Sequence, residues 1–214
     1  GESFPHPVYV LTVCAFDGNR IVSGGSGAIR GWDLNTGEST LNLGEPQGQG
    51  APPPLGEDEG DWVLSVCSID DNRIASGGAY NNRIASGGAY NTVCVWDLNS
   101  GENTHTFEHG DWVRSVCKID DNRIASGGDD NTVRVWNLNS EENTHTFTGH
   151  TDVVFSVCAI DGDRIASCGG DEVRVWDLNT RKNTHTFRGH TGSVDSVCVI
   201  DGNRIASGGF DRTV

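Results

Sequence analysis

The sequence predicts an all-β chain in which a four-stranded antiparallel unit recurs about five times around a common axis. Three observations point there. The segment Asp120–Phe147, DDNRIASGGDDNTVRVWNLNSEENTHTF, returns around Trp96 and Trp176, so that Trp96, Trp136 and Trp176 stand 40 residues apart. A fixed period near 40 with a Trp-Asp ending marks the blade of a β-propeller. Each copy holds short apolar runs separated by Gly, Asp and Asn turns, as short strands require. The runs VLSVCSI (63–69) and VFSVCAI (154–160) are nearly continuous. Such runs suit strands buried on both faces, here between neighbouring blades.

The first repeat spans about 8–43. Val8–Phe16 reads as a strand, Asp17-Gly18-Asn19 as a turn, Ile21–Ser23 and Ile29–Leu34 as two further strands, and Ser39–Leu43 as a weaker fourth. Residues 44–60, GEPQGQGAPPPLGEDEG, are dominated by Gly, Pro and acid. They hold too little apolar surface to offset their ordering entropy, which predicts a loop insertion. The later repeats span about 61–107, 111–147, 151–187 and 191–214. The second contains NRIASGGAYN twice, at 72–81 and 82–91. One extra strand would reverse the direction of the next, so one copy is expected to loop out. The fifth repeat reaches Val214 before its Trp-Asp, and Gly1–His6 reads like the end of a repeat. With an initial Gly and no Met, the chain reads as processed or as a fragment. A closed five-blade ring, part of a larger propeller, and two open chains closing on each other all fit this pattern.

The formal net charge of −15 opposes phosphate backbones and anionic lipid, so neither nucleic acid nor membrane is an expected partner. No apolar run approaches the length of a membrane span, no signal peptide is visible, and no Asn-x-Ser/Thr acceptor occurs. An intracellular, cytoplasmic location is expected. Cys14, Cys67, Cys117, Cys158 and Cys198 share one column of the repeat, Ser/Thr-Val-Cys, which reads as packing rather than as a metal or redox set. No cofactor or metal is expected. His105, His145 and His185 fall on fourth strands and read as solvated edge residues. The Gly-Gly pairs read as turn residues, and the column Arg20, Arg73, Arg83, Arg123, Arg164 and Arg204 as partners of nearby Asp within each repeat.

With this period, the pairs Gly149-His150 and Gly189-His190, and the endings Trp32-Asp33, Trp96-Asp97 and Trp176-Asp177, the chain resembles the WD-repeat β-propeller family. The resemblance implies a network in each blade: a His before the first strand, a Ser in the second, an Asp in the next turn and the Trp of the third. Carried over, the third repeat supplies His109, Ser126, Asp130 and Trp136. The fourth supplies His150, Ser167, Asp171 and Trp176. The fifth supplies His190, Ser207 and Asp211 without a Trp. A set that recurs with the repeat reads as structure and not as a catalytic triad.

No nucleophile, paired carboxylate or phosphate-binding loop stands outside the repeat, so no enzymatic activity is expected. The resemblance implies a protein–protein interaction scaffold. The alternatives are a motif-recognition module, such as a ubiquitin-ligase substrate receptor, and a structural subunit of a large assembly. Antiparallel meanders place the inter-blade links and the second-to-third turns on one face. That face is entered by Tyr9, Trp62, Trp112, Val153 and Ser193. Two residues on stand Leu11, Leu64, Arg114, Phe155 and Asp195, and Tyr90 replaces the turn Asp of the second blade. In an otherwise near-invariant repeat these positions vary, and aromatic and Arg side chains dominate binding hot spots. Tyr9, Trp62, Leu64, Tyr90, Trp112, Arg114 and Phe155 are the candidate partner-binding residues. Other proteins are the expected partners, with self-association through the incomplete fifth blade in addition.

Overall fold

The computed structural model describes residues 10–16, 18–25, 28–43, 62–79 and 91–214. Its strands form five sheets. The first is a meander of β1 (Val10–Ala15), β2 (Arg20–Gly25), β3 (Ala28–Asp33) and β4 (Ser39–Leu43). The second contains β5 (Trp62–Ser68), β6 (Arg73–Ala79), β7 (Thr92–Asp97) and β8 (Asn103–Glu108). The third contains β9 (Val113–Asp120), β10 (Arg123–Gly128), β11 (Val133–Asn137) and β12 (Glu142–Phe147). The fourth contains β13 (Ser156–Ala159), β14 (Arg164–Gly169), β15 (Glu172–Asp177) and β16 (Lys182–Arg188). The fifth pairs β17 (Val194–Asp201) with β18 (Arg204–Gly209). Every pairing is antiparallel. The first copy of the duplicated decapeptide supplies β6. It pairs directly with β7, with Ser76 opposite Cys94 and Ile74 opposite Trp96. Residues 80–90 of the duplication and the 44–60 insertion lie outside the described residues.

The core sits between sheets and not within them. Phe16, Val22, Ile29 and Leu43 of the first blade pack with Val63, Val66, Ile74, Cys94 and Trp96 of the second. Ala75, Val93, Val95 and Phe107 of the second pack with Val113, Val116, Ile124 and Trp136 of the third. The same exchange joins the third to the fourth and the fourth to the fifth. Successive residues of a strand point to opposite faces. Ile74 therefore faces the blade before it, and Ala75 the blade after.

The innermost strands meet in series, β1 to β5, β5 to β9, β9 to β13 and β13 to β17. They are not the strands buried on both faces. Those are the second strands, such as β10, where only Arg123 is not buried, and β14, where only Arg164 is not. Along β5 and β9 burial falls at every third residue, Val63 and Val66, then Val113 and Val116, because each carries a β-bulge after its first valine. The apolar run thus comes from one extra residue per strand. The fourth strands form the rim and are largely exposed.

Polar contacts fasten blade to blade at the hub and at one edge. Thr12, Ser65, Ser115 and Ser156 each accept the backbone N–H of a valine on the next first strand: Val66 at 3.2 Å, Val116 at 3.0 Å, Val157 at 3.1 Å and Val197 at 3.3 Å. The Arg column pairs with Asp in its own repeat, as with Arg73 on Asp70 and Arg123 on Asp120. It also crosses to the next blade. The Nη2 groups of Arg73, Arg123 and Arg164 donate to the carbonyls of Asp121 (2.8 Å), Gly162 (2.6 Å) and Gly202 (2.8 Å). The Asp of each Trp-Asp ending closes the next turn. Asp33 accepts from the N–H groups of Asn35 and Thr36, and Asp97 from those of Asn99 and Ser100. His105 is not merely a solvated edge residue, since its Nε2 meets the Leu138 carbonyl of the next blade at 2.9 Å.

The Gly-Gly pairs lie at the ends of the second strands and are required by close approach, not by turn conformation. A Cβ on the first Gly would press on a valine of the next blade: Gly24 on Val63 at 2.6 Å, Gly77 on Val113 at 2.4 Å and Gly127 on Val154 at 2.5 Å. A Cβ on the second would strike the carbonyl oxygen before the bulge: Gly78 on Trp62 at 2.0 Å and Gly128 on Trp112 at 2.2 Å. The two sites differ in what must yield. At the first, a side chain shifts, and the fourth blade already carries the buried Cys168 there. At the second, backbone must move. Gly127→Ala should therefore cost roughly 1–3 kcal/mol, as overpacking does. Gly128→Ala should cost clearly more, read as a larger fall in the urea midpoint.

Candidate interaction face

The bulges decide which side chains this face presents. In β1 the bulge falls at Leu11, in β5 at Leu64, in β9 at Arg114 and in β17 at Asp195. Phe155, just before β13, stands at the same register. An extra residue opposite a single partner leaves the ladder and re-aims its side chain. These five positions therefore escape the demand for inter-blade packing that holds their neighbours constant. Trp62, Leu64, Trp112, Arg114 and Phe155 are all partly exposed, while Val63, Val113 and Val154 beside them are buried. Tyr9 and Tyr90 lie outside the described residues.

Arg114 is not a free cation. Its Nε and Nη2 donate to the two oxygens of Asp129 at 2.6 and 2.7 Å, a bidentate pair, and its guanidinium lies 4.9 Å from the ring centroid of Trp112. Asp129, on the second-to-third turn, is the member of this cluster that sequence reasoning passed over. It reads there as one acid of an Asp-Asp-Asn turn. Only the antiparallel pairing brings that turn beside the bulge.

Beneath the face lie the His–Ser–Trp networks. The indole Nε1 donates to a second-strand Ser in each of four blades: Trp32 to Ser23 (2.9 Å), Trp96 to Ser76 (2.9 Å), Trp136 to Ser126 (2.8 Å) and Trp176 to Ser167 (2.7 Å). In the third blade His109 Nδ1 stands 3.1 Å from Asp130 Oδ2 without the alignment of a hydrogen bond. Asp130 accepts instead from Gly110 N–H, Thr132 and Arg134. Burial would raise its carboxyl, but His109 and Thr132 outweigh it and hold the group well below the usual range.

In the fourth blade the acid is Glu172 and not Asp171. The turn is one residue shorter than in the third, with Gly169 opposite Glu172 around a left-handed Gly170. That moves Asp171 out to solvent and turns Glu172 inward. The longer side chain spans the difference. Its Oε1 accepts from Arg174 Nε at 2.5 Å and lies 3.8 Å from His150 Nδ1, and its Oε2 accepts from Arg188 Nη2 at 2.9 Å. His150 Nε2 meets Ser167 Oγ at 2.7 Å. In the fifth blade His190 joins Asp211 at 3.0 Å and Ser207 at 2.9 Å. His190 and Ser207 border a cavity of about 300 Å³ with Phe187 and Val173. In the third and fourth blades the third-strand Trp packs on the preceding fourth-strand Phe, Phe107 stacked with Trp136 and Phe147 tilted against Trp176.

Ser126 and Ser167 are wholly buried, and each hydroxyl accepts an indole N–H. A nucleophile needs a route to substrate, so the placement of these two suits structure. Burial likewise holds the thiols of Cys14, Cys67, Cys117 and Cys158 in their protonated form. Burial pushes Cys14 and Cys158 up to about 11 and Cys67 to about 12.

Trp176→Ala should cost roughly 3–5 kcal/mol, as large-to-Ala core changes do; Trp176→Phe should retain much of that but lose the bond to Ser167. The His150 imidazole is pushed down to about 4, first by burial and then by Arg174, with Glu172 opposing. The folded state therefore disfavours protonation relative to an ordinary His near 6.5. The sign follows: His150 has no effect above about pH 6.5, and the stability it is linked to is lost as pH falls toward 4, by about 3 kcal/mol at most. Chemical denaturation at pH 7 and pH 5 should show a smaller acid-side loss for His150→Gln than for the parent.

Three repeats match the model of the WD domain, G-beta repeat, at residues 101–137, 141–177 and 181–214, together just over half the chain. Each matched repeat opens on a fourth strand and runs through the first strands of the next sheet, one strand out of phase with the blades. No curated protein matches the chain in sequence. Among solved structures it is similar to that of U3-55K, with a TM-score of 0.78 and 23% identity over 96% of this chain. The chain spans 60% of the length of that protein. At that identity the likeness speaks to fold alone. It agrees with the four-stranded meanders packed face to face, and together with the repeat matches it establishes that the chain belongs to the WD-repeat β-propeller family.

Proposed function

We propose that this protein is a non-catalytic scaffold that binds other proteins through the face carrying Trp62, Leu64, Trp112, Arg114 and Phe155. Propellers of this family typically serve as protein-interaction scaffolds. The observation that carries the reading is the bulge. The residues that vary from blade to blade are the ones released from inter-blade packing. Aromatic side chains supply the apolar anchors of such a surface, and a stacked Arg supplies a flat polar one.

The partner is expected to be a protein segment with apolar side chains and some basic ones. A surface of net charge −15 favours approach of cations and opposes nucleic acid and anionic membranes. A phosphopeptide receptor fits less well, because Arg114 is already neutralised by Asp129. Membership of a large assembly remains the alternative, and the mass of the native complex separates the two.

Replacing Trp62 and Trp112 together by Ala should lower recovery of partner proteins in a pull-down at least tenfold while leaving the thermal midpoint within a few degrees. Unchanged recovery would remove this face as the site.

A further inference from the structure

The place of β6 in the second blade is taken by a sequence that the chain carries twice. The side chains that fix β6 between β5 and β7 belong to the first copy, Asn72–Asn81, and the same residues recur ten positions on in Asn82–Asn91. Ile74 and Ala75 are wholly buried, one toward each neighbouring blade. Ser76 accepts the Trp96 indole N–H at 2.9 Å. Gly77 and Gly78 leave room for Val113 and for the Trp62 carbonyl, which a Cβ would meet at 2.4 and 2.0 Å. Asn72 Nδ2 donates to Asp97 at 2.6 Å, and Arg73 Nη2 to the Asp121 carbonyl at 2.8 Å. The segment 82–88 carries the same groups in the same order.

Both borders of the duplication stand in their ordinary places. Asn72 leads into β6 as Asn122 leads into β10: the Leu98 N–H bonds the Asn72 carbonyl at 2.8 Å, and the Leu138 N–H bonds the Asn122 carbonyl at 2.8 Å. Asn91 leads into β7 with a left-handed φ of 67°, as Asn131 leads into β11 with 61°. In the third blade the Asn131 N–H bonds the carbonyl of Gly128, three residues back. Three residues before Asn91 stands Gly88 of the second copy, while Gly78 of β6 lies ten residues further back. The turn into β6 thus suits a strand that begins on the first copy, and the turn into β7 suits one that ends on the second.

We propose that β6 exchanges between the two copies, so that a register with 83–89 in place of Arg73–Ala79 is populated beside the one described. Slippage by a single residue would invert the buried faces. Slippage by a whole copy keeps every side chain on its own face, and the ladder, the bond to Trp96 and the recess for Val113 are made again by identical residues. The ten surplus residues pass from the link after the strand to the link before it, which in a meander emerges on the opposite face. Closing entropy grows with the logarithm of loop length, so the surplus costs nearly the same in either link. The turns separate the two registers. The described one keeps Asp70, whose carboxylate accepts the N–H groups of Asn72 and Arg73 at 2.9 and 2.8 Å and pairs with the Arg73 guanidinium. The exchanged one gives these up and gains a turn of third-blade length from Gly88 to Asn91. With a few hydrogen bonds on each side, the minor register is expected at about 1–10% of molecules. The exchange belongs to the blade itself and does not depend on what the interaction face binds, so each can fail alone.

The measurable consequence is redundancy. Ile74→Ser damages the first copy and Ile84→Ser the second, and each single variant keeps one intact strand for the slot. Each should lower the urea midpoint by less than half as much as the two together, which is the non-additivity expected of sites that substitute for one another. Limited trypsin digestion followed by mass spectrometry reads the register directly. Arg73 lies in β6 of the described register, so Ile74→Ser should be cut after Arg73 about ten- to a hundredfold faster than the parent, as the minor register becomes the main one. Ile84→Ser should not be cut there faster than the parent. An Ile74→Ser variant as destabilised as the double, or one cut after Arg73 no faster than the parent, would overturn the exchange.

Discussion

The structure depends on one constraint: a four-stranded sheet with two apolar faces cannot bury either of them by itself. Ile74 and Trp96 are covered by the first blade, and Ala75, Val93 and Phe107 by the third. A neighbour on each side is thus a condition of stability, as in any stacked repeat. The junction is close because a valine enters the space left by a missing Cβ. Two backbones then approach as a longer side chain would forbid. Since each junction must satisfy the same geometry, the residues that make it recur almost unchanged, which is why the repeat is so visible.

Within that frame, the buried indole and serine hydroxyl of each Trp–Ser pair satisfy one another. A Trp indole in the junction needs an acceptor, the Ser that accepts it is itself buried, and in the fourth blade a His shares the hydroxyl. An unpaired member would cost a hydrogen bond's desolvation. The fourth blade shows that the geometry matters and not the residue type. A shortened turn displaces Asp171, and Glu172 restores a carboxylate within reach of Arg174 and Arg188.

The fold was legible in the sequence because the period, the Trp spacing and the turn residues are local facts. The Trp–Ser pairs were legible through family likeness. Three things were not. The apolar run VLSVCSI reads as a strand buried on both faces, yet it is a half-buried strand with a bulge, and composition alone does not distinguish the two. Gly-Gly reads as a turn, although its cause is the valine or carbonyl that stands over it from a distant part of the chain. The Arg column reads as partnered by its nearby Asp, which holds, but its second partner is a backbone carbonyl some 40 residues on, as with Arg123 and Gly162, and a carbonyl leaves no mark in a sequence.

The bulge then explains how so constrained an array can recognise anything. Residues that form junctions cannot vary without loss of stability, so specificity has to reside where packing is indifferent. One extra residue in β1, β5, β9 and β17 creates such a place at the same height in those blades. Its backbone is fixed by the ladder on either side, while its side chain is released. Leu64 and Arg114 therefore differ on a backbone that does not. The Arg114–Asp129 pair stacked on Trp112 carries this further, since side chains ordered before binding lose less entropy on contact. Stability and recognition are thereby assigned to adjacent residues of one strand, Val113 to the first and Arg114 to the second.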